Sequence, residues 1–186
     1  MIFQHNNLNI ENSVYAIIND VTVEPSNAEL ELLKQKTLNV ILSTDIDLMA
    51  NGAINQGYVE ILKEFGQDKL VPAGFNVVKL IRDRQKFPTI NTVVDAYNVV
   101  VAKSLLAIGV HDLDKIIGEI KFDYAHRGEK IPAVNMKNDY YVNDGDYVYR
   151  DSEKILAWLD VGDTDLTKIT NDTKNIILTR ITKLNI

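Results

Sequence analysis

The chain changes its hydrophobic pattern near its middle, and this change limits the folds that it can adopt. Between Asn91 and Ala107, apolar side chains recur at three- and four-residue intervals, which predicts an amphipathic helix. After Gly118 the pattern changes to short runs of β-branched and aromatic residues separated by turns, which predicts strands. Because no internal repeat or low-complexity linker separates the two halves, we expect an α+β fold in which helices and a mixed or antiparallel sheet share one core.

Further elements are predicted on both sides of this change. A strand is expected at Ser13–Val23, and a capping box formed by Ser26 and Glu29 predicts a helix that runs to about Lys36. The remaining predictions are helices at residues 55–65 and 75–87, strands at residues 119–125, 147–149, 154–159 and 175–184, and turns at residues 126–129 and 143–145.

Length and composition indicate the broad class of protein. The chain has 186 residues, of which 46% are hydrophobic, and a single core usually splits only beyond roughly 250–300 residues. We therefore expect one domain spanning residues 1–186. The chain has no cysteine, which excludes disulfides, thiolate nucleophiles and cysteine-bound zinc. The N-terminus lacks the features of a signal peptide, and no apolar stretch approaches the roughly 20 residues that cross a bilayer. We expect a cytoplasmic protein with no membrane partner.

The net charge argues against a protein that binds nucleic acid through bulk positive charge. Twenty basic and 26 acidic groups give a formal charge of −6. A polyanion would therefore need a local patch, and Lys79, Arg82, Arg84 and Lys86 form one candidate that only Asp83 offsets. The alternative is an ordinary solvated helix face.

Four short motifs follow one another in the second half of the chain. They are VDAYN at residues 94–98, HDLDKIIG at residues 111–118, AHRGE at residues 125–129 and TNDTKN at residues 170–175. Their order and spacing resemble the editing domain of phenylalanyl-tRNA synthetase β subunits, the B3/B4 module. The family-like core covers about residues 75–184, and residues 1–74 match less clearly, as in free-standing versions of the module.

The resemblance implies a fold and an activity. It implies the α+β fold of the editing domain, and recognition of the aminoacylated 3′ end of tRNA with hydrolysis of the ester when the wrong amino acid is attached. An aminoacyl ester is already activated, so a site needs only to hold the acceptor end, place one water and stabilise the oxyanion. We therefore expect no metal and no cofactor, and no DNA partner.

The resemblance also implies which residues act. Asn98 and Glu129 are the expected catalytic residues, provided that both open onto one cavity. The family has a histidine eleven residues after the asparagine, where this chain has Gly109. Either His111 replaces the missing imidazole as a third catalytic residue, or it caps the following turn. The expected substrate-binding residues are Tyr97, Asp95 and Gly128, with Lys79, Arg82 and Lys86 approaching the acceptor stem.

Several alternatives remain at these positions. Asp95 can instead bond to backbone or to a lysine, and Asp112 and Asp114 suit turn capping better than metal binding. The tyrosines at positions 140, 141, 147 and 149 either pack in the sheet or stack on a base. Whether the protein is an enzyme also stays open, because the loss of the histidine at Gly109 is equally expected in a tRNA- or amino-acid-binding module without catalysis. An interaction domain with a vestigial pocket is the third alternative.

Overall fold

The computed structural model describes residues 3–5, 12–64, 66–132, 134, 139–159 and 162–182. In this part of the chain, helices dominate the first half and strands the second. The helices are α1 (Ala28–Ser43), α2 (Ile46–Ala50), α3 (Ala53–Glu64), α4 (Ala73–Arg84) and α5 (Thr92–Ser104), with 3₁₀ turns at Leu113–Lys115 and Asp165–Thr167. The strands are β1 (Phe3–His5), β2 (Asn12–Ile18), β3 (Ile108–Asp112), β4 (Ile120–Tyr124), β5 (Lys130–Ile131), β6 (Tyr140–Tyr141), β7 (Tyr147–Arg150), β8 (Ile155–Trp158), β9 (Gly162–Asp163) and β10 (Ile176–Thr182).

The described strands form three sheets. The largest has the order β1-β4-β7-β8-β9, in which β1 runs parallel to β4 and the other pairs are antiparallel. A second, antiparallel sheet has the order β2-β10-β3, with β10 in the centre. Strands β5 and β6 form a separate pair. The prediction of an α+β fold with mixed and antiparallel sheets is confirmed.

The helices share one apolar core. Ile41 of α1, Val78 and Ile81 of α4, and Val99 and Ala102 of α5 pack together, and each is at most 2% exposed. Burial of these side chains is the main force that holds the three helices together, at roughly 1.5–3 kcal/mol for a large aliphatic group.

A second core lies between the two larger sheets. Phe122 and Tyr149 of the five-stranded sheet pack with Ile177 of the three-stranded sheet. Successive side chains of a strand point to opposite faces, so Asp123 and Val148 lie on the other side of the five-stranded sheet. Val148 accordingly belongs to a separate cluster with Ala125 and Trp158. This alternation decides which polar residues can meet.

Some predicted boundaries and elements were wrong. The N-cap of α1 is Asn27, not Ser26, because the Asn27 side chain accepts from the backbone N–H groups of Glu29 and Leu30. The helix continues to Ser43, and the opening strand ends at Ile18 rather than at Val23. Strand β3 was not predicted. Residue 65 of one predicted helix and residues 183 and 184 of the last predicted strand lie outside the described residues.

No helix in the described ranges combines the length and apolar character that a membrane span requires.

Candidate functional site

Helix α5 presents the first two predicted site residues. Its N-cap is Asn91, whose side chain accepts from the Val94 N–H at 2.9 Å. Asn98 is 9% exposed, and no described residue forms a hydrogen bond with its carboxamide. Tyr97 is half-buried beside it, and burial raises the pKa of its phenol, with the charges of Asp163 and Asp95 adding to the shift. Both side chains therefore keep unused hydrogen-bonding capacity.

Asp95 is used within the protein. It is completely buried, one carboxylate oxygen lies 2.6 Å from Lys34 Nζ, and the other accepts from the Ile90 N–H at 2.9 Å. The Lys34 ammonium also donates to Glu31 at 2.7 Å and to Thr89 at 2.9 Å. Asp95 therefore bonds both to backbone and to a lysine, as the alternative to substrate binding predicted. The bond to Lys34 joins α5 to α1.

His111 lies on strand β3 and not on a turn, which corrects the expectation for this segment. Its ring is fully buried, with Nδ1 2.7 Å from Thr167 Oγ1 and Nε2 in close contact with Tyr149 Oη. Burial, together with the charge of Lys154, lowers the pKa of His111 to about 3. The imidazole is therefore neutral, and both of its nitrogens are engaged.

The chain has Gly109 where the family has its histidine, and the Tyr149 hydroxyl fills the space that a side chain at Gly109 would need. A Cβ on Gly109 would lie 2.7 Å from Tyr149 Oη and 3.1 Å from Thr179 Oγ1, and 3.6 Å from Asp163 Oδ1. Thr179 Oγ1 in turn donates to Tyr149 Oη at 3.3 Å. Approaches below 3.0 Å to a Cβ are strongly repulsive. An imidazole cannot occupy this position unless Tyr149 moves. We call Gly109, Tyr149, Asp163 and Thr179 the Gly109 cluster.

Asp163, like Thr179, is a residue of this cluster that the sequence did not indicate. It lies on β9 opposite Ala157, and no described residue forms a hydrogen bond with its carboxylate. Protein surrounds the carboxylate, although the residue as a whole keeps some exposure, and this burial raises the pKa of Asp163 to about 7. Burial also raises the pKa of Tyr149, and the charges of Asp163 and Tyr97 contribute. Tyr97, Tyr149 and Asp163 are thus close enough to interact electrostatically.

Glu129 lies in a different environment. Its two oxygens accept from the two terminal nitrogens of Arg150 at 2.6 and 2.9 Å, and one also accepts from the His126 N–H at 2.7 Å. The bonds to Arg150, offset in part by desolvation, lower the pKa of Glu129. Gly128 precedes it with a φ of +93°, which favours glycine at this turn. The carboxylate holds the turn between β4 and β5.

The structure does not bring Glu129 and His111 together. Glu129 binds Arg150 and His111 binds Tyr149, and these two partners are consecutive residues of β7. Because their side chains point to opposite faces of the five-stranded sheet, Glu129 and His111 lie on opposite sides of it. These contacts give no support to the expectation that His111 joins Glu129 at one ester, and the shared cavity expected for Asn98 and Glu129 stays a prediction.

The predicted basic patch divides into two kinds of residue. Lys79, Arg84 and Lys86 are exposed to solvent on and just after α4. Arg82 is half-buried, and it donates to the carbonyl oxygens of Ile41 at 2.5 Å and Thr44 at 2.7 Å. Arg82 thus satisfies the free carbonyls at the end of α1.

The remaining polar candidates act within the fold. Asp112 caps the 3₁₀ turn through the Asp114 N–H, at 3.2 Å, and accepts from Thr173 at 2.7 Å. The Asp114 carboxylate accepts from Asn175 at 3.0 Å. Of the tyrosines considered for stacking, Tyr147 and Tyr149 are buried in the core between the sheets, whereas Tyr141 is 68% exposed.

The described residues define an α+β protein in which the carboxylate of Asp163 lies beside the hydroxyl groups of Tyr149 and Thr179, near Tyr97 of α5. The B3/4 domain matches residues 66–181, and the chain belongs to this family, which is the family of the synthetase module that the motifs resemble. The chain is similar to a solved N-terminal fragment of the phenylalanyl-tRNA synthetase β subunit from Pyrococcus horikoshii, with 16% identity and a TM-score of 0.46. The match covers 94% of this chain and 40% of the fragment. No curated protein matches the chain.

Proposed function

We propose that this protein hydrolyses the ester of mischarged aminoacyl-tRNA, acting separately from the synthetase that charged the tRNA. Membership of the B3/4 family supports a role in tRNA quality control. The observation that carries the proposal is Asp163, a carboxyl group without a described protein partner and with a pKa raised to about 7. A general base works best when its pKa lies near the working pH.

The proposed reaction needs one water and no covalent intermediate. The oxygen of the water attacks the ester carbonyl carbon while Asp163 takes a proton from that water. This step gives a tetrahedral oxyanion. When the intermediate collapses, the bond to the ribose oxygen breaks and that oxygen takes the proton from Asp163. The products are a free amino acid and an uncharged tRNA. Asn98 contributes by donating to the carbonyl oxygen or by accepting from the water.

The other predicted residues take different parts in this proposal. Tyr97 contacts the amino acid, and His111 is a positioning residue whose Nδ1 and Nε2 atoms are bonded to the hydroxyl groups of Thr167 and Tyr149. Asp95 acts through Lys34 by fixing α5. Glu129 and Gly128 shape the neighbouring turn, and Glu129 is the rival base that the experiment must test.

Lys79 and Lys86 are the proposed phosphate ligands of the acceptor stem, because both are exposed and lie close together in the chain. Replacing both with alanine should weaken tRNA binding. It should also reduce the slope of log K against log salt by about 1 for each phosphate that is no longer neutralised. Arg82 is excluded from this set because its guanidinium is bonded to α1.

The deciding experiment follows the ester bond of tRNAs charged with cognate and non-cognate amino acids. We expect hydrolysis of at least one mischarged tRNA, and at least about a tenfold loss of rate in Asp163→Asn and in Asn98→Ala. Asp165→Asn is the matched control, since its exposed carboxylate binds Lys168 outside the cluster. Loss of activity in Glu129→Gln with full activity in Asp163→Asn would reject Asp163 as the base.

A binding module without catalysis is the second candidate. It is favoured by the enclosure of His111 and by Gly109 at the position of the family histidine, since together they leave no accessible imidazole in the Gly109 cluster. This candidate predicts saturable, salt-sensitive binding of charged tRNA with no cleavage of any ester in the panel. If tRNA is neither bound nor cleaved, both candidates are rejected.

A further inference from the structure

An apolar groove lies on the side of the three-stranded sheet that faces away from the Gly109 cluster. Its volume is about 490 Å³, within the roughly 300–1,000 Å³ of typical ligand sites. Ile18 and Val100 on its walls are 47% and 49% exposed, so the groove is open to solvent. Helix α5, strands β2, β3 and β10, and the segment after β2 line it through Ile18, Val21, Thr22, Thr92, Val93, Ala96, Tyr97, Val100, Ile108, Val110, Ile176 and Leu178.

Among the described residues of these three strands, one cation lies on this face of the sheet. Arg180 follows Ile176 and Leu178 at two-residue spacing on β10, so its side chain points to the same face. Its partner on β3 is Ile108, which also lines the groove. Arg180 therefore lies on the side of the sheet that bears the groove, next to one of its lining residues.

The guanidinium of Arg180 has unused hydrogen-bonding capacity. Its Nε and Nη2 atoms are buried and have no hydrogen-bond partner in the described part of the chain. Burying a charged donor atom without a partner is unfavourable. An arginine in this state is therefore an anchor for an anion, and its planar guanidinium matches a carboxylate through two parallel hydrogen bonds.

We propose that this groove binds a small amphipathic carboxylate, with the apolar body between α5 and the sheet and the carboxylate on Arg180. A carboxylate fits better than a phosphate dianion, because none of the described residues that line the groove is charged and Arg180 supplies a single positive charge. The ligand needs no tRNA, so the proposal is independent of ester hydrolysis. Tyr97 lies between the groove and the Gly109 cluster, because it lines the groove and the charge of Asp163 contributes to raising its pKa.

The test uses decanoate, below its micelle concentration, as the probe and isothermal titration calorimetry with the full chain. We expect saturable binding of decanoate, weaker binding of 1-decanol and no binding of decyltrimethylammonium. Arg180→Met should weaken decanoate binding at least about tenfold and leave 1-decanol binding unchanged. Arg84→Met is the matched control, since Arg84 is exposed on α4 and should leave both affinities unchanged.

A second variant tests the groove without changing Arg180, so the proposal can still be tested if Arg180→Met does not fold. Ala96→Phe places a large side chain in the groove and keeps Arg180, and it should abolish the binding of both decanoate and 1-decanol. Equal binding of decanoate and decyltrimethylammonium, unchanged affinity in Arg180→Met, or no detectable binding of decanoate would each overturn the proposal. Because no step involves tRNA, a failure here leaves the proposed hydrolysis unaffected, and the reverse also holds.

Discussion

The hydroxyl oxygen of Tyr149 lies 2.7 Å from the point that a Cβ on Gly109 would occupy. Tyr149 cannot easily move away, because it is buried and bonded to His111 and Thr179. We therefore expect Gly109→Ala to lower the free energy of unfolding by about 1–3 kcal/mol through overpacking. Urea unfolding at one pH measures this change.

Two further variants identify the cause. Gly162→Ala is the control, because nothing lies within 4 Å of a Cβ built on Gly162, and we expect a change within about 0.5 kcal/mol. Tyr149→Phe removes the clashing oxygen, so Gly109→Ala should cost less in that background than in the native chain. Equal costs in the two backgrounds would show that the hydroxyl is not what excludes a side chain at Gly109.

The stability of the protein should respond to pH through two groups that act in opposite directions. The pKa of His111 falls from 6.5 to about 3 on burial, so its contribution is complete above pH 6.5 and is lost as pH falls towards 3. The pKa of Asp163 rises from 3.8 to about 7, so its contribution is complete below pH 3.8 and is lost as pH rises towards 7. Between pH 3.8 and 6.5 the two slopes offset each other.

Asp163→Asn should leave the pH dependence of stability that comes from His111 without its opposing contribution. Without the carboxyl, the free energy of unfolding should rise with pH between about 4 and 6.5, and it should do so by up to about 1.4 kcal/mol per pH unit more steeply than in the native chain. Urea midpoints across this range measure the slope, and Asp165→Asn should keep the native profile. Identical profiles for Asp163→Asn and the native chain would mean that Asp163 titrates at its ordinary pKa.

Lys34 and Asp95 form a buried ion pair that should matter far more than an exposed one. Their side chains are 3% and 0% exposed. Lys34→Met leaves a buried carboxylate without its counterion, so we expect a loss of about 3–5 kcal/mol. Lys168→Met, which breaks the exposed pair with Asp165, should cost no more than about 1 kcal/mol. Similar urea midpoints for the two variants would contradict a structural role for Asp95.

The parts of the fold that the sequence predicts are those with a strong local pattern. Helix α5 has regular apolar spacing, and strands β4, β7 and β8 are runs of apolar and aromatic residues, so each was predicted to within a few residues. Strand β3 has no such pattern, since Gly109, His111 and Asp112 are typical of a turn. It is a strand because it pairs with β10, for example at Val110 and Leu178, and this pairing is not visible in a local window.

The candidate site shows the same limit. Asn98 was identified because it interrupts an apolar helix within a family motif. Asp163 carries no motif, and it reaches Gly109 only because β8 and β9 pair in one sheet while β3 and β10 pair in the other. The bond between Glu129 and Arg150 joins residues that are 21 positions apart, and it likewise depends on the strand arrangement.

The start of α1 offers a direct test of a local rule against the observed geometry. A capping box predicts Ser26 as the N-cap, but in the structure the Asn27 side chain accepts from Glu29 N at 3.0 Å and Leu30 N at 3.2 Å. Asn27→Ala leaves these two donors without their partner, so we expect a loss of about 1 kcal/mol in the free energy of unfolding. Ser26→Ala should change it by less than about 0.5 kcal/mol. Urea unfolding distinguishes the two, and a larger loss in Ser26→Ala would restore the capping box.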